Sequence, residues 1–195
     1  MTALAAARPL DRPDAGAIDV FARSIVQASW FAALGAPLSA GEDADVRTYL
    51  AGLAIPGLAD VAIDIVADWP SAKRIADAPD WDRRWWNGEE ALRQAALQQA
   101  IARLGQGRAM AALTRVTEGA SDRVHGLAAS AAQRDGVADQ ALVRAAAGAA
   151  TQACYQAALA LAAEAERDHA FTAKYRLFAA GRWPLGLVGG HFFLF

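Results

Sequence analysis

The sequence contains few of the residue types that most often carry covalent or metal chemistry. It has one cysteine, Cys154, and three histidines among its 195 residues. One cysteine cannot form a disulfide within the chain. No Cys-x-x-Cys, His-Glu-x-x-His, Gly-x-Ser-x-Gly or phosphate-binding-loop pattern occurs. Cys154 lies in a strongly apolar stretch, where a thiol usually behaves as a small inert hydrophobic group. The catalytic residues therefore stay unknown, and we expect no cofactor.

Strong charge and long uninterrupted apolar runs are also absent. The formal net charge is −2, which provides no basic surface to attract a nucleic acid. The longest apolar run, residues 145–163, contains Gln152 and Gln156, and two glutamines at the centre of a span are costly in lipid. Residues 1–7 are too short for the apolar region of a signal peptide. We therefore expect a cytoplasmic protein with neither a nucleic-acid partner nor a membrane partner.

Alanine is abundant and supplies about a quarter of the chain. Because alanine is the best helix former and allows helices to approach closely, this composition favours a tightly packed helical protein. The length fits one domain, and 55% hydrophobic with 21% charged residues is typical of folded chains. We predict an all-α bundle of about six or seven helices with a C-terminal β-hairpin. Residues 1–13 are predicted to be a flexible lead-in, and residues 14–195 a single domain.

Caps, apolar periodicity and Gly or Pro breaks divide the chain into predicted helices. Ser39 and Glu42 form a capping-box pattern that opens a short helix. An apolar stripe from Leu58 to Trp69 predicts another helix, and Asn87 is the expected N-cap of a helix over 88–104. The remaining predicted helices cover 14–34, 108–134 with a break near Gly119, and 138–180 with a kink near 166–170.

The C-terminal segment has the pattern of a β-hairpin over residues 185–195. Two apolar runs are joined by Gly189-Gly190, a strong signal for a two-residue hairpin loop. Its exposed rings would need to be covered by the protein's own helices, by a second copy, or by another protein through edge-strand pairing. The candidate contact residues here are Trp183, His191, Phe193 and Phe195.

Residues 80–87 combine three tryptophans with two arginines. Trp and Arg are enriched at the energetic centres of protein interfaces, and indoles can also form a stacking wall for a flat ligand. Alternatively, Trp81 and Trp85, four residues apart, could share one buried helical face as core anchors. The candidate contact residues of this segment are Trp81, Arg83, Arg84 and Trp86.

Two carboxylate–histidine pairs have the spacing of helical metal sites. Asp122 precedes His125 by three residues, and Glu166 precedes His169 by the same interval. A di-iron site of this type needs two Glu-x-x-His pairs and a carboxylate from each of two further helices. One pair here has Asp instead of Glu, and no separate helix offers the remaining ligands. We therefore expect local helix-surface pairs and no metal site.

These patterns leave the function unknown and support hypotheses of different classes. The leading one is a non-catalytic protein–protein interaction module, an adaptor or partner-neutralising protein that contacts another protein or a second copy. The alternative is a helical enzyme or small-molecule binder with a pocket walled by tryptophans. A carboxylate/His metal protein is a weaker alternative. A flat apolar patch would favour the first, and an enclosed cavity beside the indoles the second. The pocket's predicted walls are Trp81, Trp85 and Trp86, and its predicted polar groups are Arg83, Arg84, Glu166 or His169.

Overall fold

The computed structural model describes residues 15–165 and 168–195. The predicted lead-in over 1–13 and the candidate residue Glu166 lie outside the described residues. Within them the chain forms seven helices and three strands, which confirms a helical bundle with a C-terminal hairpin. The helices are α1 (Ala15–Gln27), α2 (Ala40–Gly52), α3 (Trp69–Ala76), α4 (Arg83–Leu104), α5 (Gln106–Arg134), α6 (Gln140–Ala162) and α7 (Ala170–Ala179). The strands are β1 (Ala62–Ile65), β2 (Pro184–Val188) and β3 (His191–Leu194), and one 3-10 turn covers Leu58–Asp60.

The strands form one mixed sheet in the order β1-β3-β2. β2 and β3 are the predicted antiparallel hairpin, and β1 pairs in parallel with β3 from Ala62 opposite His191 to Ile65 opposite Leu194. Side chains of the sheet, including the fully buried Phe192, pack with apolar residues of α2 and α7. The hairpin is therefore covered by the protein's own helices, and β3 has strands on both sides.

The helix predicted from Leu58 to Trp69 is wrong. This stretch contains the 3-10 turn and then β1, and Trp69 instead opens α3 behind the N-cap Asp68. The strand's hydrogen-bonding partner, β3, is far away in the sequence, so local apolar spacing could not reveal it. Strand formation depends strongly on such tertiary context.

Other predicted helix boundaries also change. α1 ends at Gln27, and Trp30 lies beyond it, buried, with its indole N–H donating to the Ile25 carbonyl at 2.9 Å. Asp82, not Asn87, caps α4 by accepting a hydrogen bond from the Arg84 N–H. α5 runs through Gly119 without a break, because a single glycine inside a helix costs only about 1 kcal/mol relative to alanine. The predicted 138–180 helix is two helices, α6 and α7.

Alanine occupies much of the buried surface of the two longest helices, α5 and α6. The residues with little or no exposed surface include Ala120 and Ala128 on α5, and Ala146, Ala150 and Ala153 on α6. Small side chains let these backbones approach closely, as the composition predicts. Among the helices of the described residues, none has a stretch long and apolar enough to cross a membrane.

Candidate functional site

A cavity of about 740 Å³ lies where the first turns of α4, the middle of α6 and the start of β2 meet. This volume falls within the usual range of small-molecule sites, roughly 300–1,000 Å³. We call this cavity the tryptophan pocket. Its lining residues are Ala76, Trp81, Asp82, Arg83, Trp85, Trp86, Asn87, Glu89, Ala145, Gly148, Ala149, Gln152, Lys174, Trp183, Pro184 and Leu185.

Four of the six tryptophans line this one cavity. Trp81 and Trp85 form a continuous wall, with ring centroids 5.7 Å apart and ring planes inclined by 34°. Trp85 and Trp183 are buried, whereas Trp86 is 61% exposed. The indoles of Trp81, Trp85 and Trp183 therefore form a fixed inner wall, and Trp86 lies exposed at the rim.

The wall is held in place by the C-terminal hairpin. Trp81 precedes α4 and forms an isolated antiparallel bridge with Val188 of β2, and the next residue, Asp82, donates its N–H to the Leu187 carbonyl at 3.0 Å. Gly186 has a φ of +136°, and a Cβ built on it would lie 2.9 Å from Cη2 of Trp81 and still closer to Cζ3. The indoles therefore pack directly on the strand backbone, which only glycine allows.

A buried ion pair between Glu89 and Lys174 also lines the pocket. Each side chain is only 7% exposed, and the Lys174 ammonium contacts Oε1 of Glu89. The Tyr49 hydroxyl donates to the same oxygen at 3.1 Å, and the Trp85 indole N–H donates to the Tyr49 oxygen at 2.9 Å. Burial raises the pKa of Tyr49, and the Glu89 charge adds to the effect, so this hydroxyl stays protonated and remains a donor.

Gln156 on α6 is a buried polar side chain near this region. It follows pocket-lining Gln152 by four residues, and therefore continues the same row of the helix. It is 1% exposed, and neither Oε1 nor Nε2 has a hydrogen-bond partner among the residues that the structure describes. An unsatisfied buried polar group costs about 1–3 kcal/mol. Proteins tend to keep such costly groups at functional sites.

The charges along the pocket balance. Asp82 and Glu89 are negative, and Arg83 and Lys174 are positive. Hydrogen bonds from the exposed Arg84 guanidinium lower the pKa of Asp82, so this carboxylate stays ionised. The pocket therefore carries no net formal charge along its walls.

The predicted contact residues separate into two groups. Trp81, Arg83, Trp86 and Trp183 line the pocket, and exposed Arg84 lies beside it, paired with Asp82. The other three lie elsewhere on the hairpin: His191 is exposed with Nδ1 2.8 Å from Oδ2 of Asp64, Phe193 is half-buried, and Phe195 is buried against Trp69 and Trp183.

Glu89 and Lys174 are site residues that the sequence patterns do not predict. Lys174 is one of only two lysines in the chain and lies in an apolar stretch, which is a signal for a buried functional amine. Glu89 lies near the start of the helix predicted over 88–104, where an acidic side chain usually complements the helix dipole. In the structure its side chain instead turns into the interior to meet Tyr49 and Lys174.

The two histidines of the candidate metal pairs lie in different parts of the fold. Asp122 and His125 line a separate cleft of about 540 Å³ between α5 and α6. His169 is the N-cap of α7, where its Nδ1 accepts a hydrogen bond from the Phe171 N–H at 3.1 Å. Over residues 15–165 and 168–195, no group of three or more His, Cys, Asp or Glu side chains is placed to hold a metal ion.

The single thiol of the chain, Cys154, is a buried packing group. Cys154 is fully buried in α6, and this burial raises its pKa to about 12. The thiol therefore stays protonated at neutral pH, which agrees with an inert packing role.

No protein-family model, curated protein or solved structure matches the chain. The functional interpretation therefore depends on the residues of the tryptophan pocket.

Proposed function

We propose that this protein binds a small, flat organic molecule in the tryptophan pocket. The observation that carries the proposal is the convergence of four of the six tryptophans on one cavity of about 740 Å³. Stacking of a flat ring on an aromatic side chain contributes about 1–3 kcal/mol. A concave site walled by indoles, with a few polar groups, suits a small ligand better than the flat surface of a protein partner.

The wall is also organised before any ligand arrives. Trp81 is tied to β2, and the Trp85 indole is held by Tyr49. Binding to a rigid site loses little side-chain entropy, which raises affinity. We propose binding rather than catalysis because the described residues that line the pocket include no Cys, Ser, Thr or His side chain to serve as a nucleophile.

A contact with another protein, or with a second copy, is a second proposal. Trp86 is 61% exposed at the rim, and Arg83 and Arg84 beside it are exposed as well. Trp and Arg are the residue types that dominate interface energetics. In this arrangement the partner would cover the mouth of the pocket without entering it.

Filling the pocket tests the first proposal. Ala145 is an exposed residue of α6 that lines the tryptophan pocket, so Ala145→Phe should place a ring in the cavity without disturbing the core. We expect flat mono- and bicyclic heteroaromatic fragments to include binders with Kd below about 1 mM, and Ala145→Phe to weaken them at least about tenfold. Isothermal titration calorimetry measures both affinities.

The matched control is Ala111→Phe, which makes the same change at an exposed position of α5 outside the pocket. It should leave fragment affinity unchanged. Equal affinities in wild type and Ala145→Phe would contradict a ligand in the tryptophan pocket. Because Ala145→Phe leaves Trp86 and Arg83 in place, a protein contact at the rim would survive it.

A further inference from the structure

The ion pair of the pocket has unused hydrogen-bonding capacity. Oε1 of Glu89 accepts hydrogen bonds from both Tyr49 and Lys174, whereas Oε2 has no partner among the described residues. The Lys174 ammonium has three N–H donors, and its one described hydrogen bond is to Glu89. Both side chains line the pocket. The cavity therefore presents a carboxylate acceptor next to an ammonium donor.

The balance of charge restricts what can bind there. An ion entering the pocket would lose its hydration and would meet a pair whose charges already compensate each other. A neutral molecule loses less hydration and can still form hydrogen bonds to ionised groups, which are stronger than neutral ones. The continuous wall of Trp81 and Trp85 adds a preference for a flat ring.

Given the proposed function, we infer that the ligand is a neutral, flat heterocycle with a cyclic-amide edge. Its carbonyl accepts a hydrogen bond from the Lys174 ammonium, and its neighbouring N–H donates to Oε2 of Glu89. The ring lies against the indoles of the inner wall. Recognition of this kind rejects an analogue that lacks the N–H, because the ring then covers the Glu89 oxygen without donating a hydrogen bond to it.

Three matched probes test this inference by calorimetry. 2-Quinolinone carries the full amide edge, N-methyl-2-quinolinone lacks the donor, and quinoline lacks both the donor and the carbonyl. We expect 2-quinolinone to bind at least about tenfold more tightly than either relative, as one hydrogen bond to a charged group implies. L-Tryptophan, a zwitterion with a similar ring system, should bind more weakly than 2-quinolinone.

A double substitution, Glu89→Gln with Lys174→Met, removes both charges together, so neither is left unpaired and the protein should fold. The preference for 2-quinolinone over its N-methyl derivative should fall below about threefold, while quinoline affinity stays unchanged. Asp19→Asn with Arg115→Met removes an exposed ion pair that does not line the pocket and should leave the preference intact.

The possible failures are distinguishable. If fragments bind and Ala145→Phe abolishes their binding, but the three probes bind equally or L-tryptophan binds best, the amide-edge inference is overturned and the proposed function stands. If no flat fragment binds, or if fragment binding survives Ala145→Phe, the proposed function itself fails and the inference fails with it.

Discussion

Gly186→Ala should lower the free energy of unfolding by about 2–6 kcal/mol and deform the tryptophan pocket. At a φ of +136° an alanine is strained, which costs on the order of 1–3 kcal/mol. Its methyl group would also press into the ring carbons of Trp81 and Trp85, and overpacking of this kind costs about 1–3 kcal/mol more. Chemical denaturation measures the loss, and near-ultraviolet circular dichroism reports the disturbed indoles.

Gly190→Ala separates the cost of backbone strain from the cost of overpacking. Gly190 also has a positive φ, +82°, but nothing lies within 4 Å of a Cβ built on it. Its substitution should therefore cost only the backbone strain, on the order of 1 kcal/mol, and leave the indole spectrum unchanged. Equal losses at the two glycines would show that the indoles do not pack directly on β2.

Arg182→Met should lower the free energy of unfolding by about 3–5 kcal/mol, because it removes the donor from the carboxylate and the carbonyl groups that Arg182 binds. Arg182 is buried just before β2, and its Nε donates to Oε1 of Glu42 at 2.6 Å. Its Nη1 donates to the Ala33 carbonyl at 2.8 Å, and its Nη2 donates to the Pro37 carbonyl at 2.6 Å. One guanidinium thus joins the hairpin, the 28–39 segment and the first turn of α2.

The contact between Arg182 and Glu42 predicts that the free energy of unfolding depends on pH. Hydrogen bonds from Arg182 lower the pKa of Glu42 from 4.5 to about 2, so the folded state binds this proton less readily than the unfolded state. The stabilisation is complete above about pH 4.5 and is lost as the pH falls from 4.5 towards 2. Glu42→Gln should therefore be less stable than wild type by on the order of 2–3 kcal/mol near pH 6, and the difference should shrink by pH 3.

Arg115→Met is the control for these measurements. Its ion pair with Asp19 is exposed on both sides, and pairs of this type contribute about 0–1 kcal/mol. A loss at Arg182→Met no larger than at Arg115→Met would contradict the joining role. So would a Glu42→Gln difference that does not change with pH.

The parts of the fold that depend on neighbouring residues could be predicted from the sequence. The Ser39–Glu42 capping box forms as its spacing indicates, and Gly189-Gly190 joins β2 to β3. The parts that depend on distant partners could not. β1 forms only because β3 supplies its hydrogen bonds, and α4 begins at Arg83 because Asp82 is held by Leu187 of the hairpin.

The candidate site also combines features that neighbouring residues predict with features that depend on distant residues. The local density of Trp and Arg over residues 80–87 predicts a contact surface or a pocket at this segment. That Trp183 joins the wall, and that Glu89 and Lys174 meet beside it, depends on how α4, α7 and β2 pack. The spacing of residues in the sequence does not predict this contact, because Glu89 and Lys174 lie 85 positions apart.

The most direct test of the tryptophan pocket is the response of the six indole N–H signals to 2-quinolinone in ¹⁵N-labelled protein. Four tryptophans line the pocket, whereas Trp30 is buried elsewhere with its N–H bonded to the Ile25 carbonyl and provides an internal control. We predict saturable shifts for Trp81, Trp85 and Trp183 and none for Trp30. No shifts at any indole with 2-quinolinone or with any other flat fragment, or shifts confined to residues of the α5–α6 cleft such as His125, would contradict a ligand site walled by these tryptophans.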